Sequence, residues 1–142
     1  MKILNKKANY LYYVLDKIEC GIELKGTEIK SIRKGSCDIR DAFAIIKNDE
    51  VYVVNMYVSK YKEGNKFNHD ERRTRKLLLH KKEIKKIKDK KEKENLTLVP
   101  LEIYFKGSNA KLLLGICKGK KLFDKRETIK QRDLDREARR KL

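Results

Sequence analysis

The sequence predicts a small, mainly β domain: a closed antiparallel barrel of about six strands with two to three helices, followed by a basic C-terminal tail. Short runs of β-branched and aromatic residues are separated by Gly, Asn and Asp, which is typical of antiparallel strands. The regular strand–helix alternation of a parallel sheet is absent. A length of 142 residues suits one domain. We therefore divide the chain into a basic N-terminal arm, 1–9, a barrel domain, 10–120, and a tail, 121–142.

The first half of the domain is predicted to hold one or two strands and a short helix. Residues 10–24, "YLYYVLDKIECGIEL", are rich in strand-forming residues, and we expect a break near Glu19–Gly21. In "KGTEIKSIRKG", Thr27 can cap a helix that carries two isoleucines three residues apart, and Gly35 can end it.

The next segment predicts a hairpin and a long loop. Asn48 and Asp49 lie between two apolar runs, which indicates a tight turn. Residues 59–75, "SKYKEGNKFNHDERRTR", are polar and without a period, so we expect a loop that is mobile or ordered by a partner.

The last part of the domain predicts a helix followed by a second hairpin. In "KKEIKKIKDKKEKEN", the helix begins at His80 or a neighbour, and Ile84 and Ile87 form a narrow apolar stripe. In "LTLVPLEIYFK", Pro100 indicates an edge or a bulge. The letters "GSN" then turn the chain into a last strand, "AKLLLGICK".

The tail is predicted to lack a face that could pack on the body. On a helix, Leu122 and Ile129 lie on one side, and Leu134, Ala138 and Leu142 lie roughly 140° away. A split stripe disfavours binding flat on a membrane, which requires a coherent apolar face. We expect the tail to be disordered when free and ordered by a partner.

Charge is the clearest functional signal. The formal net charge is +17, and residues 71–142 hold 25 basic and 11 acidic side chains against 13 and 10 in residues 1–70. A field of this sign attracts polyanions, of which nucleic acid is the first candidate. A solvated lysine-rich surface is the alternative.

The sequence gives little indication of a disulfide-rich, zinc-binding, membrane-spanning or catalytic protein. Three cysteines without CxxC spacing argue against a disulfide framework or a zinc site and suit a reduced, cytoplasmic protein. No apolar run approaches the roughly 18 residues of a membrane span. We expect His69 and His80 to be polar surface groups, and we find no catalytic set. The sequence thus predicts no enzyme, no metal and no cofactor.

Two stretches resemble RNA-contacting surfaces. "RRTRKLLLHKK" places Arg72, Arg73, Arg75 and Lys76 before an apolar triplet, and arginine forks suit phosphate. Three aromatic residues alternate with lysines, which suits stacking of bases beside phosphate contacts: Tyr57, Tyr61 and Phe67, with Lys60, Lys62 and Lys66. A solvated charge run and ordinary core or surface aromatics explain the same patterns. Small barrels of the oligonucleotide-binding type often present such basic faces, although this is an analogy of fold.

Several long segments, in order and over nearly the whole chain, resemble the SsrA-binding proteins, or small protein B, partners of transfer-messenger RNA in bacterial ribosome rescue. The matching segments are "NKKANYLYYV", "ECGIELKGTEIKSIRKGSCDIRDAFAIIKNDEVYVVNMYVS", "GNKFNHDERRTRKLLLHKKEI", "TLVPLEIYFK" and "KGKKLFDKRETIKQRD". The chain departs from the family at Glu71, where members usually have Pro. At Phe123 many members carry His or Tyr.

The resemblance implies a barrel of the oligonucleotide-binding type that grips the elbow of the RNA's tRNA-like domain. On the family's motifs and the basic segments beside them, we predict these RNA-binding residues: Asn5, Lys6, Glu19, Arg33, Arg73, Arg75, Lys76, Leu78, His80, Lys120 and Lys121. Elongation factor Tu is expected only indirectly, through the RNA, and no membrane is expected.

The family's tail enters the mRNA channel at the decoding region of the small ribosomal subunit. The matching ribosome-binding residues here are Gly119, Phe123, Asp124, Lys125, Arg126 and Lys130. The implied function is delivery of transfer-messenger RNA to stalled ribosomes. A generic RNA chaperone, which binds many RNAs equally, and an RNA-processing enzyme are the alternatives.

Overall fold

The computed structural model describes residues 2–140, except for the side chains of 65–67, 122–124 and 137–140. The elements, in chain order, are β1 Lys2–Leu4, α1 Ala8–Leu11, β2 Tyr12–Ile22, α2 Gly26–Arg33, β3 Cys37–Asp38, β4 Phe43–Lys47, β5 Glu50–Val54, β6 Tyr57–Val58, a 3-10 helix Lys62–Phe67, β7 Arg75–Leu78, α3 Lys81–Lys93, β8 Thr97–Lys106, β9 Asn109–Gly119 and α4 Leu122–Arg140. No helix in this part of the chain combines the length and apolarity that a membrane crossing requires.

Six antiparallel strands close into a ring, which confirms the predicted closed architecture. The hydrogen-bonded order is β8-β4-β5-β7-β2-β9, and β9 pairs back onto β8. β1 pairs antiparallel with the second half of β8, with Ile3 opposite Ile103. The segment 1–9, predicted as a basic N-terminal arm, includes this seventh strand at Lys2–Leu4.

The interior of the ring is apolar, and two helices contribute to it. Val51, Leu77 and Leu112 have no exposed surface. α2 and α3 lay Ile32 and Ile87 against this core. The narrow stripe predicted for α3 is thereby confirmed, because Ile84 and Ile87 are its buried residues.

Turn and bulge positions follow the local chemistry of the sequence. Asn48 and Asp49 have φ angles of 52° and 58°, as the tight β4–β5 turn requires. β8 is irregular between Pro100 and Glu102, as predicted for a strand proline. The break expected near Glu19–Gly21 is wrong, since β2 is one strand whose irregularity lies between Val14 and Asp16.

α2 begins before the residue that the sequence indicates. Its N-cap is Lys25, whose backbone N–H donates to Glu28 Oε1 at 2.8 Å. Thr27 lies inside the first turn, and its hydroxyl lies 2.8 Å from His69 Nδ1. The predicted cap at Thr27 is wrong because a carboxylate three residues after Lys25 already satisfies the start of the helix.

The segment before β7 is held by hydrogen bonds, although the sequence predicts a mobile or partner-ordered loop. Asn68 accepts a hydrogen bond from Tyr61 N at 3.0 Å and donates one to Tyr61 O. His69 is only 2% exposed, and its Nε2 donates to Val58 O at 3.0 Å. The expectation that His69 is a surface group is therefore wrong.

A buried ion triad joins α2 to the start of β7. Glu28 is fully buried and pairs with Arg75, which is also fully buried, and with Arg73 Nη2 at 2.6 Å. Arg75 Nη1 donates to Met56 O at 2.6 Å. Burial opposes the charge of Glu28, but hydrogen bonds from Arg73, the Lys25 backbone and Arg75 outweigh it and hold the pKa of this carboxyl below its usual value.

Replacing Glu28 by Gln is expected to lower the free energy of unfolding by about 3–5 kcal/mol near pH 7, because two arginines lose their buried counter-charge. Since the folded-state pKa is lowered, the stabilisation is complete above the ordinary pKa of about 4.3 and is lost as pH falls through the lowered value. Urea unfolding from pH 3 to 8 should show the difference from wild type shrinking at the acid end.

The matched control is Glu50→Gln, which removes a partly exposed carboxylate that lies 3.6 Å from Lys76 Nζ. This change should alter stability by less than about 1 kcal/mol. Equal effects of the two substitutions would contradict the role of the triad.

Candidate nucleic-acid interface

A groove of about 390 Å³ brings together three residues from separate strands and turns that the family resemblance implicates, Glu19, Leu78 and His80. The rest of its lining is Gly21, Leu79, Glu83 and Lys111. The convergence follows from strand pairing, since Gly21 of β2 lies opposite both Leu78 of β7 and Lys111 of β9. Strand order in the ring therefore builds this site.

Gly21 allows the close approach on which the groove depends. A Cβ atom placed on Gly21 would lie 3.1 Å from the Cβ of Leu78, which is tighter than ordinary side-chain contacts. Leu78 is 50% exposed in spite of its apolar side chain. An exposed leucine in a groove flanked by charge offers an apolar contact to a ligand rather than to the core.

Glu19 has its own hydrogen-bonding partners on β8. Its Oε2 accepts from the Tyr104 hydroxyl at 2.6 Å and from Lys106 Nζ at 2.9 Å. The hydrogen bond from Tyr104 is the largest cause that lowers the pKa of Glu19, and the same bond raises the pKa of Tyr104 to about 12. Glu19 is thus an ionised carboxylate that fixes a phenol and an ammonium group beside the groove.

His80 is the N-cap residue of α3 and lines the groove. Its backbone N–H donates to Glu83 Oε1 at 2.9 Å, which satisfies one of the free N–H groups at the start of the helix. The prediction that the helix begins at His80 or a neighbour is confirmed.

Sequence reasoning did not select Lys111, Tyr104 or Lys106 for the site. Tyr104 and Lys111 are register partners in the β8–β9 hairpin. Alternation along β8 places Tyr104 and Lys106 on one face, and this signal was available in the sequence once the hairpin had been predicted. The pairing of β9 with both β8 and β2, which brings Tyr104 and Lys106 near Glu19, was not predicted from the sequence.

Two predicted RNA-binding residues are buried instead. Arg75 is 0% exposed, and its guanidinium pairs with the buried Glu28 carboxylate of α2. Asn5 is 9% exposed, and its Nδ2 donates to Pro100 O at 2.8 Å and to Ile39 O at 3.3 Å. Both side chains hold the body together, so the prediction that they touch RNA is corrected.

Three other predicted RNA-binding residues lie at the surface, where each already has a partner. The Arg73 side chain is 29% exposed and shares Glu28. Lys76 Nζ lies 3.6 Å from Glu50. The Arg33 guanidinium lies 4.4 Å from the centre of the Phe105 ring. Their contacts with RNA stay predictions.

Lys120 and Lys121 lie away from the groove, and Lys6 lines a separate hollow with Val14 and Lys17. Gly119 is the register partner of Tyr12, which precedes Glu19 by seven positions on β2, or roughly 23 Å at 3.3 Å per residue. Lys120 Nζ donates to Asn9 O and to Thr128 Oγ1, both at 2.7 Å. The predicted residues thus form two separate sets.

The tail is an α-helix in this structure, α4, beginning directly after these lysines. Arg132 lies 5.8 Å from the centre of the Tyr10 ring on the body. Lys125, Arg126 and Lys130 are part of this helix, whereas the side chains of Phe123 and Asp124 lie outside the described residues. Disorder of the free tail stays a prediction.

The described residues contain no group of three His, Cys, Asp or Glu side chains that could hold a metal ion. Burial raises the pKa of Cys20 and of Cys37 to about 12, which disfavours the reactive thiolate. The groove itself is lined by charged side chains and by the half-exposed Leu78.

A family model described as SmpB protein matches residues 2–142. The chain belongs to the SmpB family. It is 53% identical over 140 residues to the SsrA-binding protein of Borreliella afzelii, covering 99% of this chain and 93% of that protein. Identity to the SsrA-binding protein of Treponema denticola is 55% over 138 residues, covering 97% and 90%. A solved chain from "tmRNA-SmpB: a journey to the center of the bacterial ribosome" superposes with a TM-score of 0.71, 46% identity and 85% coverage of both chains.

Replacing Glu19 by Gln should lower the pKa of Tyr104 from about 12 toward the ordinary value of about 10, because the amide carries no charge to hold the phenolic proton. NMR titration of ring-labelled tyrosine measures this. Tyr57, whose hydroxyl donates to Glu71 at 2.8 Å, is the internal control and should not move. An unchanged pKa of Tyr104 would show that Glu19 does not bind the Tyr104 hydroxyl in solution.

Proposed function

We propose that this chain binds the tRNA-like domain of transfer-messenger RNA at its elbow and delivers that RNA to stalled ribosomes for trans-translation. The observation that carries the proposal is the convergence of Glu19, Leu78 and His80 on one groove of a closed strand ring. Membership of the SmpB family supports it. The proposed compartment is the cytoplasm, where elongation factor Tu meets the chain only through the RNA.

The groove offers three kinds of contact to a folded RNA loop. Lys111 and Lys106 bring positive charge to phosphate, and Lys106 is held in place by Glu19. Leu78 offers an apolar surface to an unstacked base or a ribose. The Glu19 carboxylate can accept hydrogen bonds from base amino groups or 2′-hydroxyls, which a phosphate cannot supply.

We propose that the tail binds the ribosome, whereas the groove binds transfer-messenger RNA. It carries 11 basic residues within 118–142, and no wide apolar stripe holds it on the body. Ordering a free segment costs about 1–2 kcal/mol per residue in backbone entropy, which phosphate contacts and released counterions must offset. We propose that Gly119, Lys120 and Lys121 lead Lys125, Arg126 and Lys130 into the mRNA channel beside the small-subunit decoding region.

Competition binding tests the proposal. The full chain is expected to hold labelled transfer-messenger RNA against an excess of unrelated folded RNA of equal length, and to lose it to an excess of the isolated tRNA-like domain. Equal displacement by both competitors would indicate a general RNA chaperone and overturn the proposal.

Lys111→Ala should weaken binding of the tRNA-like domain and make the log–log dependence of affinity on salt shallower by about 0.7–0.9, the effect of one phosphate contact. Lys88→Ala is the control with equal charge. Lys88 lies 3.3 Å from Asp49, outside the groove, and should leave the slope unchanged. An equal change of the salt slope in both variants would mean that Lys111 acts only through the net charge of the protein.

Removing residues 122–142 should leave affinity for the RNA within about a few-fold and abolish peptide tagging on ribosomes stalled in reconstituted translation. The cut is placed there because β9 extends to Gly119 and Lys120 N donates to Leu11 O at 2.9 Å, so an earlier cut would damage the body. The triple change Asp124→Ala, Lys125→Ala and Arg126→Ala should act in the same way. Parallel loss of binding and tagging would contradict this division.

A further inference from the structure

Tyr104 on β8 reaches Glu19 on β2 across an intervening strand. β9 pairs with both β8 and β2, and neighbouring strands lie about 4.8 Å apart, so β8 and β2 are about 10 Å apart here. The Tyr104 hydroxyl nevertheless donates to Glu19 Oε2 at 2.6 Å. The phenol therefore extends over β9, where Lys111 is the register partner of Tyr104.

The N-terminal strand supports Tyr104 from the opposite side. Tyr104 is the register partner of Lys2 on β1 as well as of Lys111 on β9, so its backbone lies inside a three-stranded segment. Lys2 Nζ lies 6.0 Å from the centre of the Tyr104 ring and 3.8 Å from Glu102 Oε2. The fold itself thus sets the direction of the phenol.

Glu19 lies near two lysines that could each pair with it. Hydrogen bonds from Tyr104 and then from Lys106 are the main causes that lower the pKa of Glu19, and the charge of Lys111 adds to them. Lys106 Nζ lies 2.9 Å from Glu19 Oε2. Lys111, which lines the groove, takes part in none of the ion pairs found in the described residues. The carboxylate is therefore held by one lysine and not by the other.

The hydrogen bond from Tyr104 accounts for this choice of partner. The Glu19 side chain is 34% exposed, and an exposed ion pair holds a side chain only weakly. Lys106 by itself would therefore let Glu19 turn toward Lys111. A pair between Glu19 and Lys111 would occupy the ammonium group that the groove offers to a phosphate.

The second carboxylate of the groove, Glu83, is also held by a donor of the fold. Its Oε1 accepts from the His80 backbone N–H at 2.9 Å at the start of α3. Both acids keep their negative charge, but each is bound to its own donor. The described groove thus contains two carboxylates and Lys111 without an ion pair between them.

We propose that Tyr104 is a positioning residue, whose hydroxyl keeps the Glu19 carboxylate on the β8 side of the groove. Lys111 thereby stays available for a phosphate group of the RNA. The inference rests on the proposed function of the groove. It assigns to a neutral phenol the control over which lysine meets the RNA.

The first test uses the full chain and the isolated tRNA-like domain of transfer-messenger RNA as the probe. Tyr104→Phe should weaken binding and make the log–log dependence of affinity on salt shallower by up to about 0.7–0.9, the effect of one phosphate contact. Tyr12→Phe removes the same hydroxyl at the far end of β2, seven positions from Glu19, and should leave the slope unchanged. Thermal unfolding of each variant verifies the fold. A wild-type slope in folded Tyr104→Phe would overturn the proposal.

A double variant separates positioning from a structural effect on β8. In a Glu19→Gln background no carboxylate competes for Lys111, so Tyr104→Phe should add no further change to the salt slope. If Tyr104→Phe makes the slope equally shallow in the presence and absence of the Glu19 carboxylate, Tyr104 does not act through Glu19 and the proposal fails.

NMR of the lysine ammonium groups tests the same role in the free protein, without RNA. As Glu19 titrates over roughly pH 3–6, the Lys106 signal should move more than the Lys111 signal in the wild type. In Tyr104→Phe the order should reverse. An unchanged order would overturn the role of Tyr104, whereas a wild-type chain that reads correctly here but does not prefer the tRNA-like domain over unrelated RNA would contradict only the proposed function.

Discussion

The buried carboxylate of Glu28 is the interaction on which the rest of the structure depends. A charge with no exposed surface is tolerated only when it is paired and hydrogen-bonded, and two arginines and the Lys25 backbone satisfy Glu28. Because Arg75 begins β7, the triad fixes where that strand starts against α2. β7 then carries Leu78, followed by His80, to the groove. An acidic group inside a strongly basic protein thus orients residues that line the groove.

The basic cluster before β7 shows how the fold divides residues that look alike in the sequence. Alternation along the strand places Arg75 on the same side as the buried Leu77 and places Lys76 and Leu78 on the other. This alternation of inward and outward positions can be read from "RRTRKLLL", and it assigns Arg75 to the interior together with Leu77. The charge of arginine outweighed this signal in the prediction, since arginine is seldom fully buried unless it is paired.

Features set by short-range chemistry could be predicted from the sequence, whereas features set by long-range pairing could not. The Asn48–Asp49 turn and the Ile84–Ile87 stripe follow from neighbours in the chain. The burial of His69 depends on Thr27, 42 residues away, and the position of Tyr104 beside Glu19 depends on a separation of 85 residues. Glu19, Leu78 and His80 were named through the family resemblance, and only the closed ring shows why they belong together.

The β2–β9 ladder joins the groove to the start of the tail. Nine register pairs extend from Tyr12–Gly119 at one end to Gly21–Lys111 at the other. The groove lies at the second end, and Lys120 leaves the ladder at the first, where its N–H donates to Leu11 O. A ladder of this length is a stiff connection of fixed register, because a slip of one residue would turn its apolar side chains outward. The groove therefore has a defined distance and direction to the point where the tail begins.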